Sequence, residues 1–230
     1  MTTPDPKALG APPARAGRLL LICLAVAASG LLGGCVALAG GAVVGGATMV
    51  VDRRTTGTQI DDQTIEVRAA SAVTAALGDR GNVSATSYNR VVLLTGEVPT
   101  EADRAKVEAA VAKVENVRAV VNELAVMPSS SMSQRTNDSI TTGKVKAALF
   151  DAKGIQAAAI KVVTDRGNVY LMGRVTDAES TIAGNTTRAV AGVGKVIKVF
   201  EIITPAELAA MPIPPTTPAP AAPAASAAKP

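Results

Sequence analysis

One stretch of this chain is written twice, and that limits what it can fold into more than any other feature. VVLLTGEV at residues 91 to 98 is answered by NVYLMGRV at 168 to 175, and AVAKVENVRAVVNEL at 110 to 124 by AVAGVGKVIKVFEII at 189 to 203. A repeat of this length implies two copies of one supersecondary unit. Each copy reads in the same order. An amphipathic helix comes first, with Ile65, Ala69, Ala72, Val73, Ala76 and Leu77 on one face in copy one. Thr141, Val145, Ala148, Leu149 and Ala152 fill that face in copy two. A strand follows (NVSATSY or AIKVVTD), then a tight turn, then a second strand ending at Gly96 or Gly173. Glycine there marks a bend or a close backbone approach. TEAD (100 to 103) and TDAE (176 to 179) open a second helix with Thr at the N-cap and an acid three residues on, the better capping box being the one with Glu179. A last strand, VRAVVNEL or VIKVFEII, closes each copy. The order αββαβ predicts an α+β fold in which a three-stranded mixed sheet carries two helices on one face.

A domain of this size buries a limited core, which leaves two arrangements open, copies that pack on each other and copies that stand alone. At the turn between the paired strands, copy two has Asp165-Arg166-Gly167 and copy one has Tyr88-Asn89-Arg90. With the glycine missing, Asn89 is expected to supply the left-handed residue. Asp61 and Asp62 fall where the first helix is expected to begin, which reads as capping and helix-dipole placement.

Ahead of the repeat lies an export signal. Lys7, Arg15 and Arg18 precede an apolar run from Leu19 to Leu32 that is shorter than the ~20 residues needed to cross a bilayer. It ends in Leu32-Gly33-Gly34-Cys35, which resembles the bacterial lipobox. That resemblance implies cleavage after Gly34 and a diacylglyceryl group on the Cys35 sulfur. It also implies outer-membrane sorting, since Val and not Asp stands at position 36. The pieces are then a signal peptide (1–34), a lipidated tether (35–59), domain one (60–126), a linker (127–136), domain two (137–204) and a disordered Pro/Ala-rich tail (205–230).

The strand–turn–V-x-L-x-G-x-V pattern with a later A-V-x-x-V-x-x-V resembles the BON domain. The lipobox, the DRRTTGTQIDDQTIE segment at 52 to 66 and the two copies together resemble the dual-BON outer-membrane lipoproteins. That family resemblance implies a role in envelope integrity and binding to phospholipid.

Chemistry of the catalytic kind lacks its parts. There is no histidine, so neither a Ser-His nor a Cys-His pair can form. A zinc site lacks ligands for the same reason, and no metal or other cofactor is expected beyond the covalent lipid on Cys35. Ser226-Ala-Ala-Lys229 matches a nucleophile motif but sits in low-complexity sequence without its companion motifs. Aromatic residues make up 2% of the chain, too few for a base-stacking surface, so nucleic acid is not an expected partner.

Charge is distributed unevenly. Residues 60–126 carry seven Lys/Arg and ten Asp/Glu, whereas 137–204 carry nine and six. The excess of positive charge is clearest on the first helix of copy two, where Lys144, Lys146 and Lys153 accompany Ile140 and Phe150 beside the apolar stripe. Lysines in that setting can lay their stems in an apolar layer and their ammonium groups at phosphate. Anionic phospholipid is therefore the expected partner of this helix. The alternative is a helix that only covers its own sheet, its lysines solvated. Where relatives carry an aromatic just ahead of the ITT tripeptide, this chain has Ser139, which implies shallow insertion with Phe150 as the large ring. An envelope assembly or secretion protein, met through edge strands or the acidic copy, is the alternative partner.

Overall fold

The computed structural model describes residues 52–211. The signal peptide, Cys35, most of the tether and the Pro/Ala-rich segment after 211 lie outside the described residues.

Two αββαβ copies follow one another. Copy one comprises α1 (Thr56–Leu77), β1 (Asn82–Tyr88), β2 (Val91–Val98), α2 (Glu101–Val111), β3 (Ala119–Asn122) and β4 (Ala125–Val126). Copy two comprises α3 (Met132–Asp151), β5 (Ile160–Asp165), β6 (Asn168–Val175), α4 (Asp177–Arg188) and β7 (Lys195–Ile202), with a 3₁₀ turn at Ala157–Ala159 and a final α5 (Pro205–Ala210). In each sheet the first two strands are antiparallel and the last lies parallel to the middle one. The mixed α+β architecture expected from the repeat is present in both copies.

Several boundaries differ from the sequence reading. α1 starts four residues before position 60, because Thr55 caps it by accepting from the Thr58 amide. Asp61 and Asp62 consequently sit inside the helix and cap nothing on it. α3 begins within the expected linker, capped by Ser131. The tail starts as a helix, since Thr204 and Glu207 form a reciprocal capping box around Pro205. Gly96 and Gly173 do not end their strands, which run two residues further. They are places of close approach: a Cβ at Gly96 would lie 1.9 Å from the Asn82 carbonyl oxygen, and one at Gly173 would lie 2.4 Å from that of Ala159.

The copies differ in their third strand. β7 pairs with β6 along its whole length, from Lys195 to Ile202. In copy one the same path is broken into β3 and β4, and Leu124 at the break turns into the core.

The alternation of side chains along the middle strands explains the arrangement of layers. Val92, Leu94 and Val98 of β2 point to α1 and α2, while Val169, Leu171 and Val175 of β6 point to α3 and α4. The opposite faces are not left to solvent. Tyr88 and Leu93 of copy one meet Tyr170 and Met172 of copy two in a third core, edged by Val121, Val163, Ile197 and Val199. The two sheets pack face to face between outer helices. Every residue from Val92 to Val98 is buried, which a lone three-stranded sheet with one solvated face could not achieve.

Polar contacts rim this shared core. The Tyr88 hydroxyl donates to the Ala159 carbonyl at 3.2 Å, and Lys161 Nζ meets Glu66 at 2.7 Å. Glu201 takes both the Arg118 guanidinium, at 2.7 Å, and the Asn89 amide, at 2.7 Å. Glu97 is fully buried and accepts from Ser130 Oγ and from Asn82 Nδ2, with Arg166 Nε 3.6 Å away. Burial works against its charge, but those donors and the arginine outweigh it and hold Glu97 below the usual carboxylate range.

Candidate membrane-docking face

The α3 helix has two faces of different kinds. Its inner face carries Asp138, Thr141, Val145 and Leu149, all buried at spacings of three and four. Its outer face carries a second apolar line at the same spacings. Met132, Ile140 and Phe150 are 71%, 52% and 75% exposed, with Thr136, Gly143 and Ala147 between them. Lys144 and Lys146 are exposed and fall on opposite sides of this line. Phe150 is therefore on the outward ridge itself, where the sequence reading put it on the flank of the buried stripe. Lys153 is not on the helix. α3 ends at Asp151 with Ala152 as its C-cap, and Lys153 stands exposed in the turn beyond. Ser139 is exposed and donates to the Arg135 carbonyl.

Lys144, Lys146 and Lys153 have no ion-pair partner among the described residues, whereas charges around α1 are matched. Arg90 meets Asp61 at 2.6 Å, Lys161 meets Glu66, and Arg68 meets Glu115. α3 and the turn after it thus carry three of the unpaired lysines of copy two, and Lys195 and Lys198 of β7 are exposed without an ion pair among the described residues as well.

A buried aspartate fixes each first helix to its hairpin. Asp138 accepts from the Arg166 and Gly167 amides, both at 2.8 Å. Asp62 accepts from the Asn89 amide at 2.8 Å, the Arg90 amide at 2.7 Å and Ser87 Oγ at 2.7 Å. The turn residues are left-handed in both copies, with φ of 50° at Asn89, 64° at Arg90, 51° at Arg166 and 72° at Gly167. Asn89 does supply a left-handed residue, and Arg90 takes up the glycine's place beside it. Burial opposes the charge on Asp62, but the hydrogen bonds from Arg90, Ser87, Arg54 and Asn89 outweigh it and hold its carboxyl low.

Sequence reasoning missed this pair, although a signal existed. Asp62 and Asp138 stand three residues before Ile65 and Thr141, which places each one turn upstream on the buried face. It also missed the role of Arg53 and Arg54. The Arg54 guanidinium meets Asp62 at 2.8 Å and Asp52 at 2.6 Å, and lies 4.2 Å from the Tyr88 ring centroid. Burial, reinforced by the charge of Asp52, pushes the Tyr88 phenol up to about 12, so it remains a hydrogen-bond donor at neutral pH.

Two clefts open among the described residues. One of about 400 Å³ opens at the seam between β3 and β7, lined by Val91, Val121, Ile197 and Val199 with Arg118 and Glu201. Another of about 370 Å³ is lined by Thr86, Thr95 and Thr142 with Arg135, Asp138 and Asp165. Among the described residues no group of three His, Cys, Asp or Glu could hold a metal ion, and no helix is long and apolar enough to cross a membrane.

Comparison with known proteins agrees with this architecture. The BON domain model matches residues 61–128 and 137–204. "Outer membrane lipoprotein DolP" of Haemophilus influenzae is 40% identical over 184 residues, covering 79% of this chain and 95% of that protein. The "21 kDa hemolysin" of Actinobacillus pleuropneumoniae is 33% identical over 68% of this chain and 81% of its own length. "Osmotically-inducible protein Y" of Escherichia coli is 31% identical over 61% of this chain and 72% of its own length. With the domain present twice and the match to an outer-membrane lipoprotein covering 95% of that protein, the chain belongs to the BON-domain family as a lipid-anchored outer-membrane lipoprotein.

Proposed function

We propose that the protein is a non-enzymatic lipoprotein that faces the periplasm and supports outer-membrane integrity by docking its second BON domain on anionic phospholipid. Cys35 carries the acyl anchor in this reading. The observation that carries it is the outward ridge of α3, where Ile140 and Phe150 stand exposed and Lys144 and Lys146 flank them without an ion-pair partner among the described residues. Apolar side chains enter the boundary of the acyl layer, and each ammonium group near an anionic surface contributes about 1 kcal/mol. The scarcity of aromatics makes the contact shallow, with Phe150 as the deepest group and Lys153 reaching phosphate from the turn.

The test is flotation of the mature chain carrying Cys35→Ser, so that no acyl group is attached. It should rise with vesicles containing phosphatidylglycerol or cardiolipin and stay down with phosphatidylcholine alone. Lys144→Glu combined with Lys146→Glu should abolish flotation. Equal flotation of the double variant would remove these residues from the docking face.

A second reading, an adaptor for an envelope assembly or secretion complex, is favoured by β7, an eight-residue strand that among the described residues pairs only with β6. Its free edge can take a partner's strand. Ionic strength separates the two: lipid docking fades as salt rises, whereas strand addition persists.

A further inference from the structure

The residues just ahead of the first domain reach into both domains at once. Arg53 and Arg54 are adjacent in the chain and their guanidinium groups go opposite ways. Arg53 forms a fork with Glu179, Nη2 to Oε1 at 2.6 Å and Nη1 to Oε2 at 2.8 Å, and Nη1 also donates to the Arg174 carbonyl at 2.8 Å. Glu179 belongs to domain two, where it closes the capping box at the start of α4. Arg54 binds Asp62 of domain one and stacks on Tyr88, whose hydroxyl in turn donates to Ala159 of domain two. Both side chains are largely buried, 9% exposed for Arg53 and 14% for Arg54, although the backbone between Asp52 and Thr55 has no regular structure.

We infer that Arg53 and Arg54 form a two-headed clasp that fastens the base of the membrane tether to both BON domains, so that holding the tether and keeping the sheets paired are one event. Forked arginine–carboxylate pairs are the strong kind, and removing one partner of a largely buried pair leaves the other uncompensated. A tether attached in this way leaves the body at the seam, beside Ala159 where β5 begins, and not from a freely pivoting domain end. The inference is separate from the membrane reading, because flotation can fail while the clasp stands.

Its test uses a substitution in the far domain and a readout at the tether. Trypsin must take an arginine side chain into its own acidic pocket, so a clasped Arg53-Arg54 pair resists cutting despite its irregular backbone. Glu179→Gln keeps a capping-box residue at the start of α4 but removes the charge that holds Arg53. In the detergent-solubilised full chain, cleavage after Arg53 or Arg54 should accelerate by about tenfold as the opened form becomes more populated. Cleavage after Lys113, exposed in the turn following α2, should stay at its wild-type rate. Arg53→Gln provides a second variant, read by spin labels at Ala109→Cys on α2 and Thr181→Cys on α4 in the chain carrying Cys23→Ser and Cys35→Ser. The inter-domain distance should be single and narrow with Arg53 present, and broad in Arg53→Gln. An unchanged cleavage rate in Glu179→Gln, or an unchanged distance distribution in Arg53→Gln, overturns the inference.

Discussion

α1 and α3 hold the same place in the repeat, yet one is electrostatically closed and the other open. Each buries a column of small and branched side chains, and each uses one aspartate in that column to hold a left-handed turn. They diverge outside that column. Asp61, Glu66 and Arg68 of α1 all have oppositely charged partners, while Lys144 and Lys146 of α3 have none among the described residues. Ile60 and Val67 of α1 are exposed too, so apolar exposure alone does not distinguish the helices. What differs is the unmatched positive charge beside it. A duplicated fold can thus keep its core and turn chemistry and still leave one copy with unmatched positive charge on its first helix.

The largest effect should come from the shared device. Asp62→Ala leaves Ser87 and the Asn89 and Arg90 amides without their acceptor and the Arg54 guanidinium with Asp52 alone, and should cost about 3–5 kcal/mol in urea unfolding. Asp138→Ala strands two turn amides and no arginine, and should cost about 1–3 kcal/mol. Equal losses would mean that Arg54 adds nothing to copy one.

Next in size is the charge difference. Removing two lysines at ~1 kcal/mol each weakens binding to phosphatidylglycerol vesicles by roughly thirtyfold, and reversing their sign weakens it further. Arg68→Glu on α1 should change the same binding by less than about threefold. A comparable loss from Arg68→Glu would erase the distinction between the helices.

Acid should affect the pairing of the copies next. Burial opposes the charge of Glu201, but Arg118 and Asn89 outweigh it and hold its carboxyl low, and Glu97 is held low as described above. Groups with depressed folded values contribute stability above the unfolded value, about 4.3 for glutamate, and lose it as pH falls through the folded value. Melting temperature should therefore be level from about pH 7 to 5 and fall below about pH 4. A fall already at pH 6 would point to other groups. The smallest effect is expected from Val67→Ser, on an exposed site with no polar partner, within about 0.5 kcal/mol of wild type.

Much of this was legible in the residues. The repeat gave the element order, the helical spacing gave both buried columns, and Thr176 with Glu179 gave a cap that forms as read. Domain size left open whether the copies pair, and the face-to-face sheets could not be located. Alternation along VVLLTGEV is masked because both faces of β2 are buried, so no polar side appears until Thr95. The helix proposed for docking was singled out by its charge, and its orientation was half right. The buried column was assigned correctly, but Phe150 proved to be on the outward ridge, and Lys153 lies past the helix end at Asp151. Arg53 and Arg54 were illegible in role because their partners lie far along the chain, 126 residues away for Glu179. No local pattern reports such a pair.

Amide hydrogen exchange with and without phosphatidylglycerol vesicles tests the central claim most directly, on the mature chain carrying Cys35→Ser. Vesicles should slow exchange in residues 140–153, covering the end of α3 and the turn after it, and leave residues 56–77 of α1 unchanged. Slowing confined to α1, or the same slowing in both helices, would contradict the assignment of membrane docking to the second copy.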